Sequence, residues 1–534
     1  MPDTERMLLS GNEAVATAAL HAGVSLGTAY PGTPSTEILE YFSEIGGRAQ
    51  WAPNEKVALE VGVGASFGAA RTLVTMKHVG LNVAADPLFT AAYTGVTGAL
   101  VIVSADDPGM ASSQNEQDNR RYAVAAGVPM LEPSDSQEAY DFVHLAVEIS
   151  ERWRIPVILR VTTRICHSKT VVHTRPDTPK STMQPSFERD IPGRVMVPAY
   201  ARGAHKRLRE KLAEIAAWNE AQGPNRVVNG EGDGDLRIVT SGISYVHARE
   251  AAPGARILKL GMTHPLPMET MRSFAERAGR LFAVEEGDPY LVENLRAAGI
   301  PAEGKAERYR FGELSVGRVE RILAGDDTPE PAPPKGKPPQ LCVGCPHRKT
   351  FEILRDLGCI VAGDIGCYTL GVLPPFEAMD TCVCMGASIG VGLGLRHVLP
   401  EPLARKVVSV IGDSTFVHSG ITGLVEMAYN RPPTGHLVMI LDNGTTAMTG
   451  MQEHPGTGRA LDHSPATKLV FEDLARAVGV EDVHVIDPMK DGDALRLAVE
   501  QALRGNQLSL IVVRRPCLLA ARKIQEYEAA AAGG

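Results

Sequence analysis

The stretch Ile411-Gly-Asp-Ser-Thr-Phe-Val417 follows an apolar, β-rich run, and Leu441-Asp-Asn-Gly-Thr-Thr-Ala447 follows a second run about thirty residues later. Each predicts a strand that ends in a polar turn, which is where an open α/β sheet binds its ligands. Asp413 and Asn443 could jointly hold Mg²⁺, which takes a few protein oxygens and fills its other positions with phosphate oxygens. A glycine in each turn would let the backbone approach a diphosphate closely. Two βα turns with polar caps explain the same pattern.

Composition is that of a water-soluble globular protein. The 534 residues exceed one ordinary core, and 44% of them are hydrophobic and 22% charged. The net charge of −9 is spread along the chain without a long basic run, which gives no support to nucleic-acid binding. The N-terminal residues lack the basic region and apolar core of a signal peptide, and no apolar stretch is long enough to span a membrane. We therefore expect a cytoplasmic protein.

Apolar runs alternate with helical patterns along most of the chain. This alternation predicts an α/β fold with several doubly wound parallel sheets. We expect α/β domains over 1–185, 186–325 and 341–520, a proline-rich spacer over 326–340, and a tail over 521–534 whose end, from Glu528 to Gly534, is frayed. The predicted strands include Thr72–Met76, Ala99–Val103, Leu236–Thr240, Arg280–Glu285, Val407–Ile411 and Leu437–Leu441.

Seven of the eight cysteines lie after residue 340. A disulfide framework is not expected in a reducing compartment, so this clustering suggests a metal. Cys342 and Cys345 form a C-x₂-C pair, which could bind zinc, be redox-active or be accidental. We predict that Cys382 and Cys384, which are spaced to share one face of a strand, are packing residues. For Cys166 and the other remaining thiol, Cys359, we expect ordinary buried positions.

The two polar turns resemble the diphosphate-binding signature of thiamine diphosphate enzymes. Where that family has Gly-Asp-Gly, this chain has Ser414 in the third position, and Asp442-Asn443 replaces Asn-Asn. The resemblance implies that Mg²⁺ is held by Asp413, Asn443 and a main-chain carbonyl near Thr445. It also implies further cofactor contacts from Gly412, Ser414, Gly366 and Gly386.

A second segment, Asn54-Glu-Lys-Val-Ala-Leu-Glu-Val-Gly-Val-Gly-Ala-Ser66, resembles the helix start that carries the glutamate of thiamine enzymes. That glutamate acts on the aminopyrimidine ring of the cofactor. Glu55 occupies the motif position, and Glu60 is the alternative. An asparagine before an apolar-periodic run also suits any helix N-terminus, where an acidic residue is favourable by itself.

A third segment, Tyr30-Pro-Gly-Thr-Pro-Ser-Thr36, resembles the substrate-binding turn of 2-oxoacid:ferredoxin oxidoreductases. In that family the threonine, here Thr33, contacts the substrate carboxylate. A Pro/Gly turn whose Ser or Thr caps the next helix explains the same residues. Related enzymes carry an arginine where this chain has Asp106-Asp107, so the other carboxylate ligand stays open, with His78 and Arg120 as candidates. The predicted catalytic residues are Glu55, Thr33 and His78.

The resemblance extends from about residue 8 to 518. It is carried by LLSGNEAVA, VTMKHVGLNVAADP, SSQNEQDNRRYA, CVGCPHR, DIGCYTLG, GDSTFVHSGI and TGMQEHPGTG. The chain resembles the large subunits of indolepyruvate ferredoxin oxidoreductases. This implies a pyrimidine-binding domain, a transketolase C-terminal-like domain and a diphosphate-binding domain. It also implies one [4Fe–4S] cluster on Cys342, Cys345, Cys367 and Cys517, for which a Cys₄ zinc site and unliganded cysteines are alternatives.

The resemblance further implies oxidative decarboxylation of an aryl 2-oxoacid to its acyl-CoA, in a hetero-oligomer with a smaller beta subunit. The family usually continues into a ferredoxin-like tail with C-x₂-C-x₂-C runs, which this sequence does not show after Cys517. We therefore expect electrons to pass to the partner subunit, to ferredoxin or to another acceptor. A non-oxidative thiamine-dependent decarboxylase and a non-catalytic subunit are the alternative functions.

Overall fold

The computed structural model describes residues 5–175, 184–231, 235–276, 278–330 and 339–532. The chain forms two compact units, Met1–Pro331 and Ala332–Gly534. Of the predicted proline-rich spacer, residues 331–338 lie outside the described residues. Within the ranges given above, no helix is both long and apolar enough to cross a membrane.

The first unit contains two main sheets and a small antiparallel pair. Its strands are β1 (Glu5–Ser10), β2 (Leu26–Ala29), β3 (Ala49–Trp51), β4 (Thr72–Lys77), β5 (Leu100–Asp106), β6 (Met130–Leu131), β7 (Val157–Thr162), β8 (Lys169–Thr174), β9 (Arg226–Val228), β10 (Leu236–Ser241), β11 (Arg256–Leu260), β12 (Met262–His264), β13 (Arg280–Val284) and β14 (Glu303–Gly304). One sheet has the order β12-β6-β7-β5-β4-β2-β3, and the other has the order β14-β13-β10-β11-β9. Only the edge strands β12 and β9 run antiparallel to their neighbours in these sheets as described.

Helices cover these sheets. They are α1 (Gly11–His21), α2 (Thr36–Glu44), α3 (Glu55–Phe67), α4 (His78–Val83), α5 (Ala85–Thr94), α6 (Arg120–Ala126), α7 (Ser136–Trp153), α8 (Thr163–His167), α9 (Ile191–Arg194), α10 (Pro198–Gln222), α11 (Ser244–Ala251), α12 (Met268–Ala275), α13 (Tyr290–Ala297) and α14 (Val316–Ala324). Several begin where the sequence provides a cap, because a side-chain oxygen satisfies a free N–H group of the first turn. Asn54 caps α3 and Asp135 caps α7 in this way.

The second unit has one parallel sheet of order β16-β15-β17-β18-β20-β19. Its strands are β15 (Ile360–Gly363), β16 (Thr381–Cys382), β17 (Val407–Gly412), β18 (His436–Asp442), β19 (Asp482–Ile486) and β20 (Leu508–Arg514). Its helices are α15 (His347–Asp356), α16 (Ser388–Val398), α17 (Glu401–Ala404), α18 (Asp413–Thr415), α19 (Ile421–Tyr429), α20 (Phe471–Ala477), α21 (Gly492–Arg504) and α22 (Ala521–Ala532), with a π-helical segment over Phe416–Gly420 between α18 and α19.

Both faces of this sheet are buried. Along β18, Leu437, Met439 and Leu441 belong to one hydrophobic core, while Val438 and Ile440 belong to the other. Strands covered on both faces read as continuous apolar runs, which is why these strands were recognisable in the sequence. The predicted fold class, an α/β protein with several parallel sheets, is confirmed.

The end of the chain, which was expected to fray from Glu528 onwards, is helical as far as the structure describes it, and residues 533–534 lie outside the described residues. Helix α22 covers Ala521–Ala532. Ile524 is buried, and the ring of Tyr527 stacks on His463 with centroids 4.3 Å apart. The alanine-rich composition that suggested a frayed end is also that of a good helix former, and these two contacts hold the helix on the second unit.

Candidate active site

A single buried carboxylate joins the two polar turns of the second unit. Asp413 opens α18 directly after β17, and its Oδ1 accepts a hydrogen bond from the N–H of Ser414 at 2.8 Å. Its Oδ2 accepts from the N–H groups of Asn443, at 3.2 Å, and Gly444, at 2.9 Å. The carboxyl ends of β17 and β18 are therefore tied together at one edge of the sheet.

His454 supports Asp413 from outside these turns. Its Nε2 lies 3.3 Å from Oδ2 of Asp413, and the N–H of Gly456 donates to its Nδ1 at 3.2 Å. Burial alone would raise the pKa of Asp413, but His454 and the N–H groups of Ser414 and Gly444 outweigh burial and hold that pKa below its usual value. The segment TGMQEHPGTG contains this histidine, but only the fold shows that it reaches Asp413.

The oxygen atoms at this edge fit a hard cation. Among the described residues, Oδ2 of Asp413 accepts two N–H groups and has Nε2 of His454 3.3 Å away, whereas Oδ1 accepts one N–H. Asn443 and Thr445 are buried beside it, and the Thr445 N–H donates to Oδ1 of Asn443 at 3.1 Å. Carboxylate, amide and main-chain carbonyl oxygens are the donor types that Mg²⁺ accepts. The three predicted magnesium ligands thus stand together, and their role as ligands stays a prediction.

A second buried carboxylate is that of Asp364, which follows β15 and holds the turn with Gly386 at the start of α16. It accepts hydrogen bonds at 2.9 Å from the N–H groups of Ile365, Gly386 and Ser388. Burial raises its pKa, although these N–H groups oppose the rise. Gly386 has a φ of +84°, a conformation that glycine adopts without strain. Sequence reasoning selected the glycine and missed the aspartate, because its contacts are made across the fold.

Two of the predicted cofactor glycines have a packing role as well. A Cβ atom at Gly412 would lie 2.6 Å from the ring of Tyr368, and one at Gly366 would overlap the same ring. The Tyr368 hydroxyl donates to the carbonyl of Ile365 at 3.0 Å. These glycines are needed for the tyrosine ring whether or not a diphosphate approaches them. Ser414, the third residue of the turn, accepts a hydrogen bond from Thr446 at 2.9 Å.

The four predicted cluster cysteines line one cavity of about 90 Å³. Burial, together with the other three cysteines, raises the pKa of Cys367 to about 11, so the four thiols are close enough to affect one another. Within the described part of the chain, no group of three or more His, Cys, Asp or Glu side chains is arranged to hold a metal ion. A cluster of several atoms keeps its thiolate ligands farther apart than one ion does. Four thiols around a cavity fit that requirement.

This cavity adjoins the predicted magnesium site. Asn443 and His347 line it together with the cysteines. The N–H of Cys517 donates to the carbonyl of Asn443 at 2.9 Å. Asn443 therefore has its side-chain amide in the polar turn, while its main-chain carbonyl bonds to Cys517, a predicted cluster ligand.

Cys382 and Cys384 do not pack in the interior, so that prediction was wrong. Both are exposed, and β16 ends at Cys382. The strand is a two-residue edge strand, and the chain then turns towards Gly386, which Asp364 holds in place. The pair lies at the surface for this reason, and neither member lines the cavity. Cys166 is buried as expected, and Cys359 is half-buried.

In the first unit, Glu55 is the first residue of α3 and is buried. A Cβ atom at Gly80 would lie 2.6 Å from its Oε1, so its carboxylate packs directly against α4. The alternative, Glu60, is exposed and forms a surface ion pair with Lys56. Between the two glutamates, Glu55 has the environment of a functional carboxylate.

Thr33 and His78 follow two neighbouring strands, β2 and β4, which pair in the sheet. Thr33 follows β2 and is half-buried, and the neighbouring Gly32 packs against Lys77, the last residue of β4. Ser35 donates to the Gly32 carbonyl at 2.9 Å and makes no cap hydrogen bond to α2. His78 is fully buried at the start of α4; its Nε2 lies 3.1 Å from the Asn115 carbonyl. Among the described residues, its Nδ1 has no partner.

Arg120 has a different role from the one considered in the sequence. It is fully buried, and its guanidinium pairs with Asp118 at 2.5 Å and with Glu285 at 2.8 Å. It also donates to the carbonyls of Glu286 and Asp288. These contacts join the two main sheets of the first unit and occupy the guanidinium, so Arg120 is a structural residue.

Two protein families match this chain, and together they cover most of it. Residues 364–513 match the family described as thiamine pyrophosphate enzyme, C-terminal TPP binding domain. Residues 17–203 match the family described as pyruvate flavodoxin/ferredoxin oxidoreductase, thiamine diphosphate-binding.

Full-length relatives are also found. The indolepyruvate oxidoreductase subunit IorA of Archaeoglobus fulgidus is 41% identical, over 96% of this chain and 87% of that protein. The protein of the same name from Methanothermobacter thermautotrophicus is 38% identical, over 98% and 88%.

Among solved structures, 2-oxoglutarate:ferredoxin oxidoreductase from Magnetococcus marinus aligns with a TM-score of 0.52 at 17% identity. The alignment covers 61% of this chain and 65% of that chain, which is less than two thirds of the solved chain. A likeness at this identity concerns the fold alone.

Proposed function

The chain belongs to the family of indolepyruvate oxidoreductase subunits, thiamine-diphosphate-dependent 2-oxoacid oxidoreductases, and on that premise we propose that it oxidises an aryl 2-oxoacid to an acyl-CoA and CO₂. CoA is the acyl acceptor, and two electrons leave one at a time through a [4Fe–4S] cluster. A smaller beta subunit completes the complex, ferredoxin or another carrier takes the electrons, and the complex works in the cytoplasm.

Some of the predicted site residues would bind the cofactor or the substrate, and Glu55 would hold a proton on the cofactor. When bound, thiamine diphosphate supplies the carbon nucleophile and electron sink for the loss of CO₂. Asp413, Asn443 and the main chain near Thr445 would hold Mg²⁺ with its diphosphate. Glu55, whose carboxylate is buried, would hydrogen-bond the aminopyrimidine ring and hold a proton there. Thr33 would donate its hydroxyl to the substrate.

One observation supports an oxidative reaction over simple decarboxylation. The cavity lined by the four cysteines is also lined by Asn443, a proposed magnesium ligand, and Cys517 bonds to the Asn443 main chain. A non-oxidative decarboxylase needs no electron carrier and hence no group of thiols beside the cofactor. The proposed cluster ligands Cys342, Cys345, Cys367 and Cys517 would stand directly beside the proposed cofactor site.

The test is cofactor analysis and turnover of the anaerobically purified complex. We expect about four irons and four sulfides per chain, from the proposed cluster, and acyl-CoA formation that requires an aryl 2-oxoacid, CoA and an electron acceptor. Cys367→Ser should lose the iron and the acyl-CoA activity. Cys382→Ser is the matched control, because that thiol is exposed and does not line the cavity.

The same assay separates the alternatives. Zinc without iron, or iron retained in Cys367→Ser and lost in Cys382→Ser, would reject the cluster assignment. Release of a free aldehyde without CoA or acceptor would identify a non-oxidative decarboxylase. Absence of thiamine diphosphate binding would identify a non-catalytic subunit.

A further inference from the structure

Lys77 is a buried cation without an acidic partner. It ends β4, is 9% exposed, and donates from Nζ to the carbonyl of Ser112 at 2.6 Å. Among the described residues, no carboxylate lies within 4.0 Å of Nζ. A buried ammonium is costly unless it is paired. Among the described residues, the Lys77 ammonium has one hydrogen-bond acceptor for its three N–H groups, so it can still bind an anionic ligand.

Asp107, the acidic residue whose charge acts on Lys77, already has other partners. Its Oδ2 accepts hydrogen bonds from the N–H of Ser112, at 2.9 Å, and the hydroxyl of Ser113, at 2.5 Å, and its Oδ1 accepts from Thr163 at 2.8 Å. Burial lowers the pKa of Lys77, and the charge of Asp107 opposes this only from a distance. Asp107 therefore moderates the charge of the ammonium without binding it.

The other cationic groups at this edge of the sheet are used. Arg120 is enclosed by Asp118 and Glu285, and Arg160 pairs with Asp106 at 2.7 Å and with Glu132 at 3.2 Å. His78 is no better suited to a carboxylate. With its Nε2–H donated to the Asn115 carbonyl, a neutral ring offers only the lone pair of Nδ1.

The position of Lys77 places it at the proposed active site. Gly32, in the turn that carries Thr33, packs on the side chain of Lys77, where a Cβ atom would lie 3.1 Å from Cβ of the lysine. The next helix, α4, starts with the following residue and packs against Glu55 through Gly80. The lysine thus lies next to the turn that carries Thr33 and to the helix that packs against Glu55.

We propose that Lys77 binds the carboxylate of the 2-oxoacid, in the role for which the sequence had suggested His78 and Arg120. This assignment rests on the proposed function for the identity of the ligand. The ammonium would form a charge-assisted hydrogen bond to the carboxylate, and Thr33 would add a neutral donor from the adjacent turn.

The test compares Lys77→Met and Lys77→Arg in the complete complex. We expect Lys77→Met to raise the KM for the 2-oxoacid by about 10- to 100-fold, the range for losing a hydrogen bond to a charged group. The kcat should fall by less than about threefold, because the carboxylate loses its charge as it leaves as CO₂ and the contact therefore stabilises the bound substrate and not the later steps. Lys77→Arg keeps the charge and should stay within about tenfold of the wild-type KM.

A binding measurement without turnover keeps this assignment separate from the proposed reaction. Binding of 3-phenylpropionate, an unreactive carboxylate, should weaken in Lys77→Met by the same factor as the KM, whereas binding of the neutral 3-phenylpropionamide should not change. Equal loss for both compounds, or no loss for either, would overturn the assignment. Equal weakening in Lys77→Arg and Lys77→Met would overturn it too. If Lys77→Met does not fold, the wild-type complex decides the matter: 3-phenylpropionate that binds no more tightly than 3-phenylpropionamide would overturn the assignment. Failure of the wild-type complex to turn over any 2-oxoacid would instead reject the proposed function.

Discussion

At the scale of single residues, hydrogen-bond direction decides what Asp413 can offer to a cation. The Gly456 N–H occupies Nδ1 of His454, so the proton of the neutral ring is on Nε2, which faces Oδ2 of Asp413. Two main-chain N–H groups donate to Oδ2, and Nε2 of His454 lies 3.3 Å from it outside hydrogen-bond geometry, so Oδ1 is the oxygen with more free capacity. His454 is therefore a positioning residue for the proposed magnesium ligand.

We predict that His454→Gln weakens Mg²⁺-dependent binding of thiamine diphosphate by about 10- to 100-fold, as removal of a group that orients a metal ligand commonly does. The measurement is a cofactor titration at several Mg²⁺ concentrations. His463→Gln is the control, because His463, among the described residues, pairs with Glu453 at 2.9 Å and not with Asp413. Unchanged affinity in His454→Gln would show that Asp413 is held adequately without it.

Glu286 gives the first unit a predicted pH dependence. It is buried, its Oε1 accepts from the Leu314 N–H at 3.0 Å, and among the described residues its Oε2 has no partner. Burial raises its pKa from 4.5 to about 7. Between these two values the folded protein holds a proton that the unfolded chain has released, so stability falls as pH rises through this range.

The expected loss is up to about 3 kcal/mol above pH 7 relative to pH 4.5, from the difference between the two pKa values. Glu286→Gln removes the titrating group and should gain stability relative to wild type as pH rises. Denaturant unfolding of both proteins at pH 5 and pH 8.5 measures this difference. A difference that does not depend on pH would contradict the prediction.

At the scale of elements, the strands could be predicted from the sequence, but the contacts that residues make at the ends of these strands could not. Strands such as β17 and β18 are buried on both faces, so their apolar runs mark them directly in the sequence. The contacts of Asp364, His454 and Lys77 join segments far apart in the chain, and no local pattern signals them. The helix after residue 520 was missed for the same reason, since Ile524 and Tyr527 anchor it through tertiary packing.

Asp364 accepts hydrogen bonds from both ends of the segment that runs from β15 through β16 to α16. Asp364→Asn keeps its size but replaces one accepting oxygen with a donor, which leaves at least one buried N–H without a partner at a cost of about 1–3 kcal/mol. We expect a lower unfolding midpoint and weaker thiamine diphosphate binding. Asp380→Asn is the matched control, because Asp380 is exposed and its carboxylate accepts from the Val361 N–H alone. Equal effects of the two substitutions would contradict this role.

At the scale of the whole molecule, each compact unit carries a different part of the proposed chemistry. The first unit carries the buried Glu55 and the substrate turn, and the second carries Asp413 and the cysteine cavity. Motif resemblance predicted these parts in separate stretches of the sequence, and the predicted residues fall in different compact units; their roles stay predictions. It could not single out Lys77 as the proposed carboxylate-binding cation, because only the fold shows that Arg120 is enclosed by Asp118 and Glu285 while Lys77 is not paired in this way.

This division predicts that binding and turnover can be separated by substitutions in different units. Glu55→Gln removes a proton-holding carboxylate and keeps its shape, so kcat should fall on the order of 10²- to 10⁴-fold. Affinity for Mg²⁺ and thiamine diphosphate should stay within about tenfold, because the diphosphate ligands lie in the other unit and diphosphate binding is the larger charge interaction. Asp413→Asn should do the reverse and weaken cofactor binding first, with turnover partly restored at high Mg²⁺ and cofactor. Glu60→Gln, which changes an exposed glutamate of the same helix, should alter neither quantity. If Glu55→Gln and Asp413→Asn both lost cofactor binding to the same extent, the two carboxylates would share one role, and the assignment of Glu55 to proton control would be wrong.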